Sequence, residues 1–278
     1  MSQIFRDGLL EGRTALVSGG GTGLGRAIAL ELAALGAQVT VCGRRAKPLQ
    51  ETAELGPRGA IETAVCDVRE EEQVHGLVER VLARAGRIDL LVNNAGGQFL
   101  APAEQITAKG FRAVVRLNLE ATWLMSHAVA TRAMIPSARG GRIVNITLSP
   151  HHGLPGMAHS AAARAAVENL TRTLSVEWAR FGVLINAIAV GQIATEALLS
   201  KYPRPFVEGI AGSIPLQRMG QPDHVAWLVA YLASPAGDFL SGAVITVDGA
   251  RDNWDGSWPP PALRDEHGQP LAEQRRPR

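Results

Sequence analysis

The chain is poor in tyrosine and cysteine, with two of each in 278 residues, and aromatic side chains make up only 5% of it. Two cysteines cannot staple a fold of this size. Cys42 and Cys66 each end an apolar run, so both read as buried free thiols of a reducing compartment. No apolar run is long enough to cross a bilayer. Met1 to Glu11 is polar and lacks a signal-peptide core, and the closing Arg-Pro-Arg matches no peroxisomal address, so a cytoplasmic location is expected. Neither charge sign dominates. There are 28 Lys+Arg against 26 Asp+Glu, and part of the basic excess sits at Arg275, Arg276 and Arg278. That balance argues against a nucleic-acid partner, and neither a membrane partner nor a metal site is expected.

What is present suits a large core: hydrophobic residues make up 46% and charged residues 19%. Apolar runs recur at Ala15–Val17, Val39–Cys42, Ile61–Cys66, Ile88–Val92, Arg142–Ile146, Val183–Ala189 and Val244–Val247. Helical patterns lie between most of them, at Gly25–Leu35, Glu70–Ala85, Gly110–Met134, Ala158–Arg180 and His224–Ala233. Strand and helix in alternation predict right-handed βαβ units. The expected fold is therefore α/β: a doubly wound Rossmann sheet of seven parallel strands with helices on both faces. No linker divides it, so residues 1–250 form one domain. From about Arg251 the composition changes to Trp254, Trp258, Pro259 to Pro261 and mixed charges, which reads as an extended or disordered arm over 251–278. Its tryptophans are candidates to anchor the arm on this or a neighbouring subunit.

The stretch Thr14 to Gly25 organises the rest. A short apolar strand breaks into glycines and restarts at Arg26 as a helix rich in Ala and Leu. Strand, glycine turn and helix N-terminus together make an anion site, because glycines let backbone N–H groups approach a pyrophosphate. The next strand bears on cofactor choice. Units that bind NAD carry an acid about 20 residues after the glycines, which holds the ribose 2′-OH. Here the sequence is Cys42-Gly43-Arg44-Arg45, with no acid. Two guanidiniums suit a 2′-phosphate, so NADP(H) is expected, held by Arg44 and Arg45.

The spacing Gly19, Gly23, Gly25, preceded by Ser18, resembles the short-chain dehydrogenase/reductase family. Asn93-Asn94-Ala95-Gly96, after the fourth strand, resembles that family's second signature. The likeness covers about Gly12 to Gly249. It implies that Ser18, Gly19, Gly21, Thr22, Gly23, Leu24 and Gly25 surround the cofactor phosphates. It further implies that Asp67 and Val68 meet the adenine, that Asn94, Ala95 and Gly96 border its ribose, that Gly191 and Ile193 serve the nicotinamide end, and that Thr195 lies near the phosphates. Homotetramers built on the helices at Gly110–Met134 and Ala158–Arg180 are implied as well.

The catalytic positions depart from the family, which mostly uses Asn, Ser, Tyr and Lys. Asn118 matches the first. The Lys position is Arg164, four residues before it stands Ser160 instead of Tyr, and thirteen before that stands Thr147 instead of Ser. The two tyrosines, Tyr202 and Tyr231, lie far along the chain. Arg cannot relay a proton, but it can hold ribose hydroxyls and supply charge. A Ser hydroxyl is a poor acid and a good donor, so the set suits oxyanion stabilisation. Residues 94–104 and 158–165 are similar to the NADPH-dependent trans-2-enoyl-CoA reductases of the peroxisomal type and, more distantly, to 2,4-dienoyl-CoA reductases. The implied reaction is reduction of the C=C bond of an α,β-unsaturated acyl thioester. The proton donor stays open among His151, His152, His159 and a water held by Ser149 and Thr147. Gln98, Ser149, His152 and His159 are the candidate substrate residues. Glu196 to Pro215, with Tyr202, Pro203, Pro205 and Phe206, reads as an apolar substrate lid or as a plain covering helix. Two other readings remain: a dehydrogenase acting on an apolar alcohol or ketone, and a catalytically silent NADP(H)-binding protein.

Overall fold

The computed structural model describes residues 2–149, 151–201, 204–254 and 256 of the chain. All seven expected strands form: β1 (Thr14–Ser18), β2 (Gln38–Gly43), β3 (Ile61–Val65), β4 (Leu90–Asn93), β5 (Gly141–Leu148), β6 (Val183–Val190) and β7 (Val244–Val247). They pair in parallel in the order β3-β2-β1-β4-β5-β6-β7. The order reverses between β1 and β4. In a doubly wound sheet that switch opens a crevice at the carboxyl ends of the strands.

Every residue of β1 is buried, as a strand covered on both faces must be. Alternate side chains feed two cores. Val17 and Val41 point to the face covered by α1 (Gly23–Ala34) and α9 (Pro222–Ala233), where Ile28, Leu32, Val225 and Val229 close the layer. Leu16 and Leu91 point to the opposite face, against α3 (Glu71–Ala85), α5 (Ala121–Val129) and α6 (Ala158–Glu177). The result is a single Rossmann-like domain.

Three elements differ from expectation. The helix α2 (Ala46–Leu55) fills the gap between β2 and β3. Pro48 disguises it, yet a proline in the first turn of a helix displaces no internal hydrogen bond. The helix expected over Gly110–Met134 starts at Ala108 and is interrupted by two π-helical turns, Arg116–Glu120 and Ala130–Met134, which flank α5 and follow α4 (Ala108–Val115). The first π turn contains Asn118, whose freed carbonyl accepts a hydrogen bond from Thr122 Oγ1 at 2.9 Å. The stretch from Glu196 forms two short helices, α7 (Glu196–Lys201) and α8 (Arg204–Gly212). Tyr202 and Pro203, and the side chains of Pro205 and Phe206, lie outside the described residues.

A buried polar thread joins sheet to helices on the α6 face. Asn93 Nδ2 donates to Ser126 Oγ at 2.9 Å and to Asn145 Oδ1 at 2.8 Å, and Asn145 Nδ2 donates to Thr171 Oγ1 at 2.9 Å. These bonds fix the lateral position of β4 and β5 against α5 and α6. Asn145→Ala removes the middle of the thread and strands two buried partners, a loss of roughly 2–4 kcal/mol. A urea midpoint that falls accordingly with an unchanged slope is the expected outcome; an unchanged midpoint refutes the structural role.

Candidate active site

The glycine turn is held from two sides. Asn94 Nδ2 donates to the carbonyls of Ser18 and Gly19, at 3.0 and 3.2 Å. Ser18 Oγ accepts the N–H groups of Asn94 and Ala95 and donates to the Val92 carbonyl. Ser18 thus ties β1 to β4, and its hydroxyl is fully engaged in that tie. A Cβ built on Gly25 would overlap the Gly19 carbonyl, so α1 packs on the turn only because no side chain is there. Arg26, which the glycine spacing did not single out, donates from Nη2 to the Gly21 carbonyl at 2.8 Å. It is braced by Thr52 and Glu51 of α2. Gly23 lies against Thr195, which brings the segment after β6 over the start of α1 beside Leu24.

Beyond the turn lies a cavity of about 160 Å³. Its wall brings together Gly19, Gly21 and Thr22 with Arg44, Arg45, Asp67 and Val68, which follow β2 and β3, and Ala95 and Gly96, which follow β4. Pro48, Leu49 and Leu117 complete it with apolar surface that the motifs did not indicate. Asp67 sits on the lip. Hydrogen bonds from Arg69 hold its carboxyl below the usual range against the opposing effect of burial. Arg44 and Arg45 are exposed at the rim and, among the described residues, have no ion-pair partner. Cys66 lines the same wall; burial pushes its thiol up to about 11, so it is uncharged at neutral pH. Two unpaired guanidiniums, a glycine cradle and a flat apolar wall fit the adenosine half of a nicotinamide dinucleotide.

The other half of the crevice is built around Arg164. Its Nη1 donates to the Ile146 carbonyl at 2.8 Å, and it is 8% exposed. Burial lowers its pKa to about 10, so it remains a cation at neutral pH. No carboxylate forms an ion pair with it among the described residues. A Cβ on Gly96 would overlap Arg164 Nη2 and lie 3.0 Å from Asn118 Oδ1. Asn118 is locked by a reciprocal pair: Nδ2 donates to the Gly97 carbonyl and Oδ1 accepts the Gly97 N–H, both at 3.0 Å. Ser160, fully buried, donates to Gln98 Oε1 at 2.7 Å. With its oxygen held, Gln98 turns its two N–H donors away from Ser160. Asn118, Ser160 and Arg164 therefore meet along the segment Gly96–Gln98, which begins at the wall of the cavity.

The remaining candidates lie differently. Thr147 Oγ1 donates to Glu168 at 2.9 Å, and Ser149 Oγ donates to Asp248. The pair expected to hold one water between them instead turns to two separate carboxylates. His151 spans Glu168 and Asp252, and His152 Nδ1 lies 3.5 Å from Asp252. His159 is buried, packed edge-on against Phe99 with ring centroids 4.3 Å apart. The turn after β6 is pinned. Val190 pairs with both β5 and β7, Gly191 N–H donates to the Val247 carbonyl, and Ile193 bridges to Gly220. The arm expected from Arg251 begins as a tight turn, Arg251–Asn253, docked on the site through Asp252.

Residues 19–250 match a family model described as enoyl-(acyl carrier protein) reductase. The chain is a short-chain dehydrogenase/reductase. It is 36% identical over 248 residues to a protein of Bacillus subtilis (strain 168) named probable 2,4-dienoyl-CoA reductase, covering 87% of this chain and 97% of that one. It is equally 36% identical over 245 residues to the gluconate 5-dehydrogenase of Gluconobacter oxydans (strain 621H), covering 86% and 94%. Among solved structures, the citronellol catabolism dehydrogenase of Pseudomonas aeruginosa PAO1 superposes with a TM-score of 0.80 at 43% identity, over 91% of this chain and all of that one. The family makes this chain an oxidoreductase that uses a nicotinamide cofactor.

Gly96→Ala tests the Arg164 packing. The added methyl displaces the guanidinium by about an ångström, which is expected to lower turnover by about 100-fold with the fold intact by circular dichroism. Unchanged turnover would show that the guanidinium position does not matter.

Proposed function

We propose that this short-chain dehydrogenase/reductase is an NADPH-dependent reductase of the C=C bond of an α,β-unsaturated acyl thioester such as an acyl-CoA. One observation carries the reading. Where the family's Tyr and Lys would stand, Ser160 donates to the Gln98 amide oxygen and so turns the Gln98 N–H donors outward, beside a buried Arg164 that has no ion-pair partner among the described residues and the clamped amide of Asn118. No tyrosine reaches this group among the described residues; Tyr231 lies on α9, which covers the opposite face of the sheet. A carbonyl reductase must protonate an alkoxide directly, which calls for an acid tuned near neutrality. In conjugate reduction a bound nicotinamide would supply hydride to the β-carbon, and charge would collect on the thioester oxygen as an enolate. Neutral donors and a fixed cation stabilise that oxygen without a titrating group. A proton then reaches the α-carbon. The dienoyl-CoA reductase relatives support an acyl-CoA substrate.

A second reading has its own support. The 43%-identical structure is titled for citronellol catabolism, which favours an apolar, branched alcohol or carbonyl as the substrate. Preference for NADP(H) rests on Arg44 and Arg45 at the rim, with no acid at the end of β2.

The test is NADPH oxidation with crotonyl- and longer 2-enoyl-CoA beside a panel of ketones. Turnover of enoyl thioesters supports the first reading. Turnover of ketones alone supports the second, and tight NADPH binding without any turnover leaves only a binding protein. Ser160→Ala is expected to lower kcat about 10- to 100-fold while NADPH affinity holds. Arg44→Asp is expected to weaken NADPH about 10-fold or more and to leave NADH nearly unchanged; equal loss of both overturns the cofactor assignment.

A further inference from the structure

Three segments remote in sequence, residues 147–151, Glu168 and residues 248–252, meet in one connected set of hydrogen bonds. Thr147, on β5, donates to Glu168 Oε1, and His151 Nε2 lies 3.1 Å from the same oxygen. His151 Nδ1 bonds Asp252 Oδ2, and the His151 backbone N–H donates to Asp252 Oδ1 at 2.6 Å. The Asp252 N–H donates to Asp248 Oδ2 at 2.7 Å, and Ser149 Oγ donates to that oxygen too. A Cβ on Gly191 would overlap the Asp248 side chain, so the same set backs the turn expected to border the nicotinamide. Glu168 is 5% exposed and sits one helical turn after Arg164 on α6.

Each ring nitrogen of His151 faces a carboxylate oxygen, so each must carry a proton. We propose that His151 is a positioning residue: held as an imidazolium between Glu168 and Asp252, it fixes the segment from Ser149 to Ser160 over the cofactor, and the chain after β7 thereby becomes part of the active site. The inference rests on the reading of Ser160 as a residue of the reacting centre. It removes His151 from the candidates for proton donor, because both of its N–H groups are committed.

The charges around the ring are Glu168 from α6, Asp252 from the turn after β7, Asp248 one bond further on, His152 beside Asp252 and Arg164 one turn along α6. Burial alone would disfavour the imidazolium, but the Asp252 hydrogen bond and the charge of Glu168 outweigh it and raise the pKa of His151. Burial likewise opposes the Asp252 carboxylate, and the hydrogen bonds from His151 outweigh it and lower its pKa. The tie is therefore intact at neutral pH. It is lost on the alkaline side as pH rises through the raised midpoint of His151, and on the acid side only once Asp252 protonates.

The experiment uses the full chain with NADPH bound. The His151 C2–H resonance is expected to titrate above the ordinary value of roughly 6.5, and Asp252→Asn to move that midpoint down by about one unit. Amide exchange over residues 149–160 is expected to accelerate, relative to the rest of the chain, at the same midpoint in each protein. For turnover of an enoyl thioester, kcat is expected to fall on its alkaline limb at that midpoint, and the limb to shift with it in Asp252→Asn, while the NADPH Kd stays within about twofold. His151→Gln removes the limb. A midpoint that Asp252→Asn does not move, exchange that ignores the titration, or a kcat limb that stays in place while the resonance shifts each overturns the proposal. If no thioester turns over but resonance and exchange still move together, the reaction reading fails and the positioning of the loop stands.

Discussion

The guanidinium of Arg164, shut in with a carbonyl for company and no carboxylate in ion-pair reach among the described residues, constrains everything around it. Placing a lone cation where it is 8% exposed costs on the order of several kcal/mol. A protein keeps such a group only if other requirements hold it there. The Ile146 carbonyl accepts from Nη1, the absence of a side chain at Gly96 leaves room for Nη2, and Asn118 is clamped beside them by the Gly97 backbone. The π-helical turn at Arg116–Glu120 belongs to the same arrangement, since it carries Asn118 at the point of contact. Lys in this place could share or lose its proton. Arg cannot, so the charge is constant across the physiological range.

That constancy is what separates this crevice from the family's usual one. A phenol beside Lys is a coupled pair whose useful property is a tuned acidity. Replacing only one partner would waste the other, and here both positions have changed together. The hydroxyl of Ser160 now orients an amide, Gln98, and the cation is left without a titrating neighbour within ion-pair reach among the described residues. The tuned group in the region is instead His151, displaced into the loop, and its role there is to bind carboxylates.

Much of the fold was legible because parallel strands buried on both faces must be apolar throughout, and the seven runs stood out against polar connections. The errors have physical causes. The helix α2 was not among the expected ones, and its Pro48 lies in the first turn, where a proline is tolerated. A π-helical turn adds one residue without altering the apolar stripe enough to be seen, so the helix through Asn118 read as continuous. For the site, the glycine turn and the Asn94 signature are local patterns, and local patterns survive in a sequence. The cluster around His151 is not local: Ser149 and Asp248 are 99 positions apart, as far as any spacing rule fails to reach. Glu168 was read only as part of a helix, and nothing in its neighbourhood on the chain indicates that it would be buried against Thr147 and His151.

The same distance in sequence hides the placement of the turn Arg251–Asn253, the described start of the expected arm; Trp258 and Pro259 to Pro261 lie outside the described residues. Composition set it apart as an arm, since its tryptophans, prolines and mixed charges resemble no part of the sheet. Yet Asp252 is only four residues beyond Asp248, and Asp248 backs onto Gly191 at the end of β6. A turn so close to the last strand has no freedom to leave the site: its backbone N–H is taken by Asp248 and its carboxylate by His151. On the proposed reaction this matters for water. An enolate beside a reduced nicotinamide must be protonated at carbon by one donor, and an open rear wall would admit bulk solvent as a competitor. Glu168 and Asp252 take the two ring nitrogens of His151, and Asp248 takes the Asp252 N–H and the Ser149 hydroxyl, so the polar groups on this side satisfy one another and leave no donor of the cluster free to compete for that carbon.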